Sequence, residues 1–112
     1  PMQVHTNQIT VATTAGHFFF SAEEIVRLEA CSNYTNIYFT NKKKMLTSKV
    51  LKDFAVMLEP MGFVRTHRTH LVNKKHIAFV SNDGCVIMKD ESIAEISRRM
   101  KSNVMKVLRN AA

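Results

Sequence analysis

The chain has 112 residues, 46% of them hydrophobic, and its 16 Lys and Arg outnumber 9 Asp and Glu, for a formal net charge of +7. This length predicts a single domain over residues 1–112, and the apolar fraction excludes a disordered chain. No apolar run reaches the roughly 18 residues that span a bilayer, and the basic balance favours nucleic acid or an anionic membrane surface as partner.

Short alternating or β-branched segments dominate the first half of the chain and predict strands. Ala15-Gly16 and the polar run 41–43 lie between neighbouring segments and predict hairpin turns. Ser21, which is followed by acidic residues, is predicted to cap a single helical turn over 21–24. The predicted strands are residues 9–14, 17–20, 25–32, 34–40 and 44–49.

The period changes at residues 48–62, where apolar side chains recur on one helical face. Ser48 is the predicted cap of this helix, and the stretch from Pro60 to Gly62 is its predicted end. The face that is expected to be buried consists of Val50, Leu51, Phe54, Met57 and Leu58.

The second half combines further strand signals with one more amphipathic helix. Asn82-Asp83-Gly84 predicts a hairpin turn, and residues 98–110 predict a final helix with one apolar face. The predicted strands are residues 63–67, 76–81, 85–89 and 92–97. Six to eight short strands with two modest helices predict a mainly β fold of the β-rich α+β class.

Sulfur-containing and aromatic side chains are predicted to lie in the core. Cys31 and Cys85 occupy apolar strand contexts and are interpreted as reduced, buried residues of a cytoplasmic protein, with a disulfide as the alternative. The methionines fall mainly on predicted buried faces. Phe18 to Phe20 are assigned to the core as well, although a run of three must point one ring outward, where it could contact a neighbouring domain.

Positive charge is segregated along the chain. No acidic residue occurs from Pro60 to Asn82 or after Glu95, although both stretches contain several Arg and Lys, and a third cluster runs from Lys42 to Lys52. Such segregation predicts a basic face for a phosphate backbone, with three unrelated solvated clusters as the alternative.

Metal binding and catalysis are both weakly supported. The histidines within 67–76 do not match a strong zinc pattern, and neither cysteine has a second cysteine nearby. Cys31, His67 and Asp83 can be drawn as nucleophile, base and orienter, but nothing in the sequence brings them together. We therefore expect no metal, no cofactor and no enzymatic activity.

Three segments resemble one known family. "FVRTHRTHLVNKKHI" (63–77) looks like the LytTR signature F-x-R-x-H-R-S-x-x-V-N-x-x-x-I, with Thr69 in place of the usual Ser. Residues 25–39 resemble the opening strands of the family, and residues 94–101 resemble its I-P-I-S-R-R segment, with Glu95 where proline is common. The three motifs occur in the family's order, and the resemblance covers a core of about residues 9–108, almost the whole chain.

This resemblance implies an elongated β fold of small antiparallel sheets, used as the output domain of bacterial transcription regulators, including the response regulators of two-component systems. In the family, loops enter successive major grooves, and two copies bind a repeated DNA site. The implied partners are double-stranded DNA with repeated half-sites, a second copy on that DNA, and a receiver or sensor domain in a longer parent chain. The alternative function is a basic module that binds an acidic protein or an anionic membrane.

The resemblance also carries DNA contacts over by position. The implied base-facing residues are Thr35 in the predicted Tyr34–Asn36 turn, Arg68 in the "HRTH" loop, and Arg98. The implied phosphate contacts are Arg99, Lys101 and Lys49, and the further implied DNA-binding residues are His67 and Tyr34.

For several of these side chains a structural role remains open. Thr35 can instead cap its turn, His67 can contact DNA or brace its loop, and Arg98 can form a surface salt bridge. Asn73 is predicted to cap the short turn after the motif.

Overall fold

The computed structural model describes residues 7–109 and contains, within them, ten strands and two α-helices. Three short 3-10 segments, at Ala22–Glu24, Glu59–Met61 and Lys74–His76, connect successive elements. The strands are β1 (Gln8–Thr13), β2 (Gly16–Ser21), β3 (Ile25–Cys31), β4 (Tyr34–Phe39), β5 (Lys44–Thr47), β6 (Phe63–His67), β7 (His70–Asn73), β8 (Ile77–Val80), β9 (Cys85–Met88) and β10 (Ile93–Glu95); the helices are α1 (Leu51–Leu58) and α2 (Lys101–Arg109). The predicted β-rich α+β class is confirmed.

The strands form three antiparallel sheets. The central sheet has five strands in the order β5-β4-β3-β7-β6, while β1-β2 is a separate hairpin and β10-β9-β8 is a three-stranded sheet. The principal extents are 41 × 39 × 24 Å, so the molecule is flat, with two long dimensions and one short one.

Two apolar cores lie on opposite faces of the central sheet. Alternate residues of β3 and β7 point to opposite faces, so that Leu28 and Leu71 enter the first core while Val26 and Val72 enter the second. The first core is completed by β1 and α1, and the second by the three-stranded sheet and Val104 of α2. Burying one such side chain is worth roughly 1.5–3 kcal/mol, so both layers hold the central sheet.

A buried arginine links the central sheet to the loop between β9 and β10. Arg27 donates from Nη1 to Glu29 Oε1 at 2.9 Å and from Nε to Ser92 Oγ at 2.9 Å. Its guanidinium carbon lies 4.1 Å from the centroid of the Tyr38 ring. The charge is thus paired, hydrogen-bonded and stacked, as a buried guanidinium requires.

Most predicted hairpins and turns are present. Ser21 and Glu24 form a capping box around the first 3-10 segment, since Glu23 N donates to Ser21 Oγ and Ser21 N donates to Glu24 Oε2. Gly84 has a φ of +91° in the predicted turn between β8 and β9. The sequence does not predict β7, because "HRTH" is interpreted as a loop and the next predicted strand begins at residue 76.

The predicted first helix differs in its start and in one buried residue. The N-cap is Val50 without a side-chain hydrogen bond, so the prediction of Ser48 as the cap is wrong. Val50 is 39% exposed, whereas Ala55 is buried in its place. The second helix begins at Lys101 rather than at 98 because residues 98–100 form a turn, and Asn110 of the predicted helix lies outside the described residues.

Side chains near strand ends are more exposed than predicted. Cys31 is exposed and Cys85 is partly buried, so neither is the fully buried residue that was expected, and both are free thiols. Phe20 packs against the first core, but two rings of the triplet, Phe18 and Phe19, are exposed instead of one. No helix within residues 7–109 is long and apolar enough to cross a membrane.

Candidate nucleic-acid interface

One end of the central sheet gathers two chain reversals and the exit of the chain from β5. Ala30 of β3 pairs with Thr35 at the start of β4, which pairs with Thr47 at the end of β5. On the other side, Glu29 pairs with His70 at the start of β7. The β3–β4 turn, the residues after β5 and the β6–β7 turn therefore lie side by side along an edge of about 19 Å, at the usual strand spacing. We call this edge the loop end.

The β3–β4 reversal is a two-residue turn, Ser32-Asn33, closed by the pair Cys31–Tyr34. Ser32 has a φ of +57°, and both turn residues are exposed. Tyr34 is 48% exposed at the same end. The turn thus begins two residues earlier than the predicted Tyr34–Asn36 turn, and its tip is Asn33.

Thr35 is fully buried, and this corrects its assignment as a base-facing residue. Its Oγ1 donates to the carbonyl oxygen of Lys49 at 2.7 Å, while Lys49 N donates to Thr47 Oγ1 at 3.3 Å. The side chains of β4 alternate between the two faces of the sheet, and Thr35 lies on the buried face together with Ile37 and Phe39. Its role is to fix the backbone that carries Lys49.

The β6–β7 reversal carries the exposed Arg68. His67 Nδ1 accepts a hydrogen bond from Thr69 N at 3.1 Å and lies 2.8 Å from Thr69 Oγ1. Its Nε2 is 3.8 Å from Glu95 Oε1. The imidazole of His67 thus braces the turn, which is the structural role left open for it by the sequence.

The segment between β10 and α2 is fastened beside β6. Thr66 Oγ1 donates to the carbonyl oxygen of Glu95 at 2.9 Å, and Ser97 N donates to the carbonyl oxygen of Thr66 at 2.9 Å. The next turn leaves Arg98 and Arg99 exposed, and Met100 N donates to Ser97 Oγ at 3.1 Å. The exposed Lys101 follows at the start of α2.

A shallow cavity of about 420 Å³ joins two of these segments. It is lined by His67, Arg68, Ser97, Arg99 and Met100. The structure therefore brings Arg68 of the motif loop and Arg99 of the last segment to one cavity, although they are about thirty residues apart in the chain, whereas Arg98 does not line it.

The third basic cluster of the sequence is divided by the structure. Lys42 and Lys43 lie in the β4–β5 turn at the opposite end of the central sheet from Lys49, with the length of β5 between them. The lysines of this cluster consequently do not form one basic surface, and of these three only Lys49 lies at the loop end.

Burial behind the loop end affects one histidine. Desolvation lowers the pKa of His70 below its ordinary value of 6.5; the Glu29 carboxylate opposes this shift, and the Arg27 guanidinium adds to it. The ring centroids of His70 and His67 are 5.4 Å apart. His70 is accordingly neutral near pH 7 and does not add to the positive charge of this end.

Sequence reasoning missed two residues at the loop end. Asn33 forms the exposed tip of the β3–β4 turn, and the dipeptide Ser32-Asn33 between two apolar strands is a turn signal that could have located it. The sequence predicts no contact for Arg65, whereas its guanidinium donates hydrogen bonds to the β6–β7 turn. No sequence signal gives that contact, because it depends on the path of the turn. Within residues 7–109 no group of three or more His, Cys, Asp or Glu could hold a metal ion.

Comparisons with known proteins agree with this geometry. The family model described as LytTr DNA-binding domain matches residues 15–109. A solved LytTr DNA-binding domain, from a Bacillus cereus protein described as a methyl-accepting/DNA response regulator, is similar with a TM-score of 0.78 and 24% sequence identity. The similarity covers 91% of this chain and 96% of that domain. No curated protein sequence matches the chain.

Proposed function

The chain belongs to the LytTr DNA-binding domain family, and from this premise we propose that it is the sequence-specific, double-stranded DNA-binding output domain of a bacterial response regulator. The observation that carries this proposal is the loop end, where exposed cationic and polar side chains from separate segments share one edge of the central sheet. The parent chain is proposed to contain a receiver or sensor domain, as expected for an output domain.

Residues at the loop end divide into two proposed roles. Arg68 and Arg98 lie on tips or turns and can present a planar guanidinium to guanine O6 and N7 in a major groove. Asn33 at the neighbouring tip can pair with adenine N6 and N7. Cations that flank these tips are proposed to contact phosphates, namely Lys49, Arg99 and Lys101, with the Tyr34 hydroxyl as a further contact.

The dimensions of the loop end support the use of grooves by turns rather than by a helix. Helix α2 buries Val104 in the second core, so its apolar face is committed to packing. The turns instead project from an edge of about 19 Å, which is wider than one major groove of about 12 Å. Two copies of the chain on a repeated site would place two such edges along one duplex.

The first test is selection of bound sequences from a random duplex library at near-physiological salt. We expect enrichment of a repeated motif that binds roughly 10³-fold or more tightly than scrambled duplex. Binding that is equal for all sequences and vanishes as salt rises would contradict a specific regulator. It would leave a basic surface for an acidic protein or an anionic membrane.

Substitutions at the loop end then test the two roles. Arg68→Ala and Arg98→Ala should each cost about 1–3 kcal/mol on the selected site and relax base preference at one position. Lys101→Ala should weaken selected and scrambled DNA alike, because a phosphate contact carries no sequence information.

Lys43→Gln is the matched control, since it removes one positive charge from the opposite end of the sheet and should change neither affinity. Titrations followed by fluorescence anisotropy measure all four variants. Arginine variants that retain the full preference of the parent would remove these residues from the interface.

A further inference from the structure

The β6–β7 turn has an unusual backbone for its length. Two residues, Arg68 and Thr69, join the strands, and the pair His67–His70 closes the turn. Two-residue hairpins usually need a positive φ at one or both turn positions, supplied by Gly, Asn or Asp. Within the described chain, positive φ occurs at three non-glycine residues and neither Arg68 nor Thr69 is among them. This turn therefore depends on bonds from outside its own backbone.

Arg65 supplies two of those bonds. Its Nε donates to the carbonyl oxygen of His67 at 3.2 Å, and its Nη2 donates to the carbonyl oxygen of Arg68 at 2.6 Å. The ladder between β6 and β7 shifts register between Arg65 and His67, which marks an irregularity at this point of β6. One planar guanidinium thus holds two successive carbonyls of the reversal by charge-assisted hydrogen bonds.

The residue after Arg68 is fixed from the other side. Thr69 N donates to the His67 imidazole, and the carbonyl oxygen of Thr69 accepts from Ala30 N of the neighbouring strand at 2.9 Å. The backbone of Arg68 therefore lies between the carbonyl of His67, which Arg65 holds, and Thr69, which is hydrogen-bonded on both sides. The side chain of Arg68 itself is exposed.

We propose that Arg65 is a positioning residue for DNA recognition: by holding the carbonyls of His67 and Arg68, its guanidinium sets the direction in which the Arg68 side chain leaves the turn. Arg65 thereby contributes to sequence discrimination without touching DNA. This inference rests on the proposed DNA-binding function, and it adds a role that the charge of Arg65 alone would not give.

The competing role for Arg65 is a direct phosphate contact, and the two make different predictions. A positioning role needs the planar fork, so Arg65→Lys and Arg65→Gln should lose discrimination to a similar extent. A phosphate contact needs only the charge, so Arg65→Lys should retain affinity while Arg65→Gln should weaken all sequences and reduce the salt slope by about 1.

Lys74 offers a matched control. It lines the same cavity of about 510 Å³ as Arg65, together with Phe63, Val64 and Met100. Lys74→Gln therefore removes a positive charge from the same cavity without removing a bond to the turn.

The first measurement uses the free protein and needs no DNA. Amide hydrogen exchange at Thr69 and His70 is compared among the parent, Arg65→Gln and Lys74→Gln. We expect exchange at these amides to accelerate about tenfold or more in Arg65→Gln alone, while Val72 further along β7 stays protected. Unchanged exchange at the turn would overturn the proposal.

The second measurement is a double-mutant cycle on the selected duplex and on a duplex changed at the base pair that depends on Arg68. We expect Arg65→Gln and Arg65→Lys to lower the preference between these duplexes about tenfold or more, with no further loss in an Arg68→Ala background. Additive losses, or a reduced salt slope with intact preference, would overturn the positioning role. A parent protein without sequence preference would instead contradict the proposed function, and the exchange result would still decide whether Arg65 holds the turn.

Discussion

His70 combines burial with an unmet hydrogen bond. The residue is only 8% exposed, and its Nδ1 has no hydrogen-bond partner among residues 7–109. Burial in these surroundings lowers the pKa of His70 from 6.5, which means that the folded state favours the neutral ring. Protonation of His70 would therefore place a positive charge in a desolvated position behind the β6–β7 turn.

The lowered pKa of His70 predicts acid sensitivity of the fold. Below pH 6.5 the unfolded chain binds a proton that the folded chain does not, so the free energy of unfolding should fall as pH decreases from about 7 towards the lower folded pKa. Above about pH 7.5 the contribution of His70 should be fully present and constant.

His70→Phe tests this contribution because it retains a ring and removes the titrating nitrogens. Urea unfolding at several pH values between about 5 and 8 should give a shallower acid-side slope for the variant than for the parent. Parallel slopes for the two proteins would show that His70 does not cause the acid sensitivity.

Thr35 illustrates what decides the role of a single residue at the loop end. Its position in the motif implies DNA contact, but one step along a strand changes a side chain from the outer to the inner face. The buried hydroxyl of Thr35 consequently holds the carbonyl oxygen of Lys49, the adjacent Tyr34 is exposed instead, and Asn33 occupies the tip of the turn before them.

At the scale of elements, Asn73 connects the end of β7 to the segment that leads into β3. Its Oδ1 accepts from Lys75 N at 3.0 Å, which confirms the predicted cap of the short turn after the motif. Its Nδ2 also donates to the carbonyl oxygen of Ile25 at 3.0 Å. The side chain is 2% exposed, so these groups have no access to water as a replacement partner.

Asn73→Ala should therefore lower the free energy of unfolding by about 1–3 kcal/mol, since it leaves a buried carbonyl and an amide unsatisfied. Denaturant titration at pH 7.5 measures the loss. Asn103→Ala on the exposed face of α2 is the control and should stay within roughly 0.5 kcal/mol of the parent. Equal stability of the two variants would contradict a structural role for the Asn73 amide.

For the whole molecule, the distribution of cations predicts how binding responds to salt. Five cationic side chains lie at the loop end or in the segment fastened beside it, namely Lys49, Arg68, Arg98, Arg99 and Lys101, whereas Lys42 and Lys43 lie at the other end of the sheet. If each of the five replaces a counterion, the slope of log K against log salt should be about −4.5 per bound copy.

Titrations of the selected duplex between roughly 0.05 and 0.3 M salt measure this slope, and a half-site duplex that admits a single copy removes the contribution of a second. Lys43→Gln should leave the slope unchanged, and Lys101→Ala should reduce its magnitude by about 1. A slope near −10 for one copy would mean that cations well outside the loop end meet the duplex.

The sequence by itself determined the local elements and the family. Alternation, Gly and Asn turn residues and the Ser21 cap act over a few positions, so the hairpins and the first helical turn could be predicted without knowledge of the fold. The start of α1 was not predicted, because Val50 precedes the helix without a side-chain hydrogen bond and leaves no local signal.

Only the tertiary structure decided which charged residues act together. Hydrogen bonds between Thr66 and the segment after β10 place Arg68 beside Arg99, while the extended β5 separates Lys43 from Lys49, although the second pair is close in sequence. The fold likewise buries Thr35 and directs the Arg65 guanidinium to two carbonyls of the next turn. These outcomes depend on the strand register and on the path of the backbone. Neither can be predicted from the type of a side chain and its position in the chain.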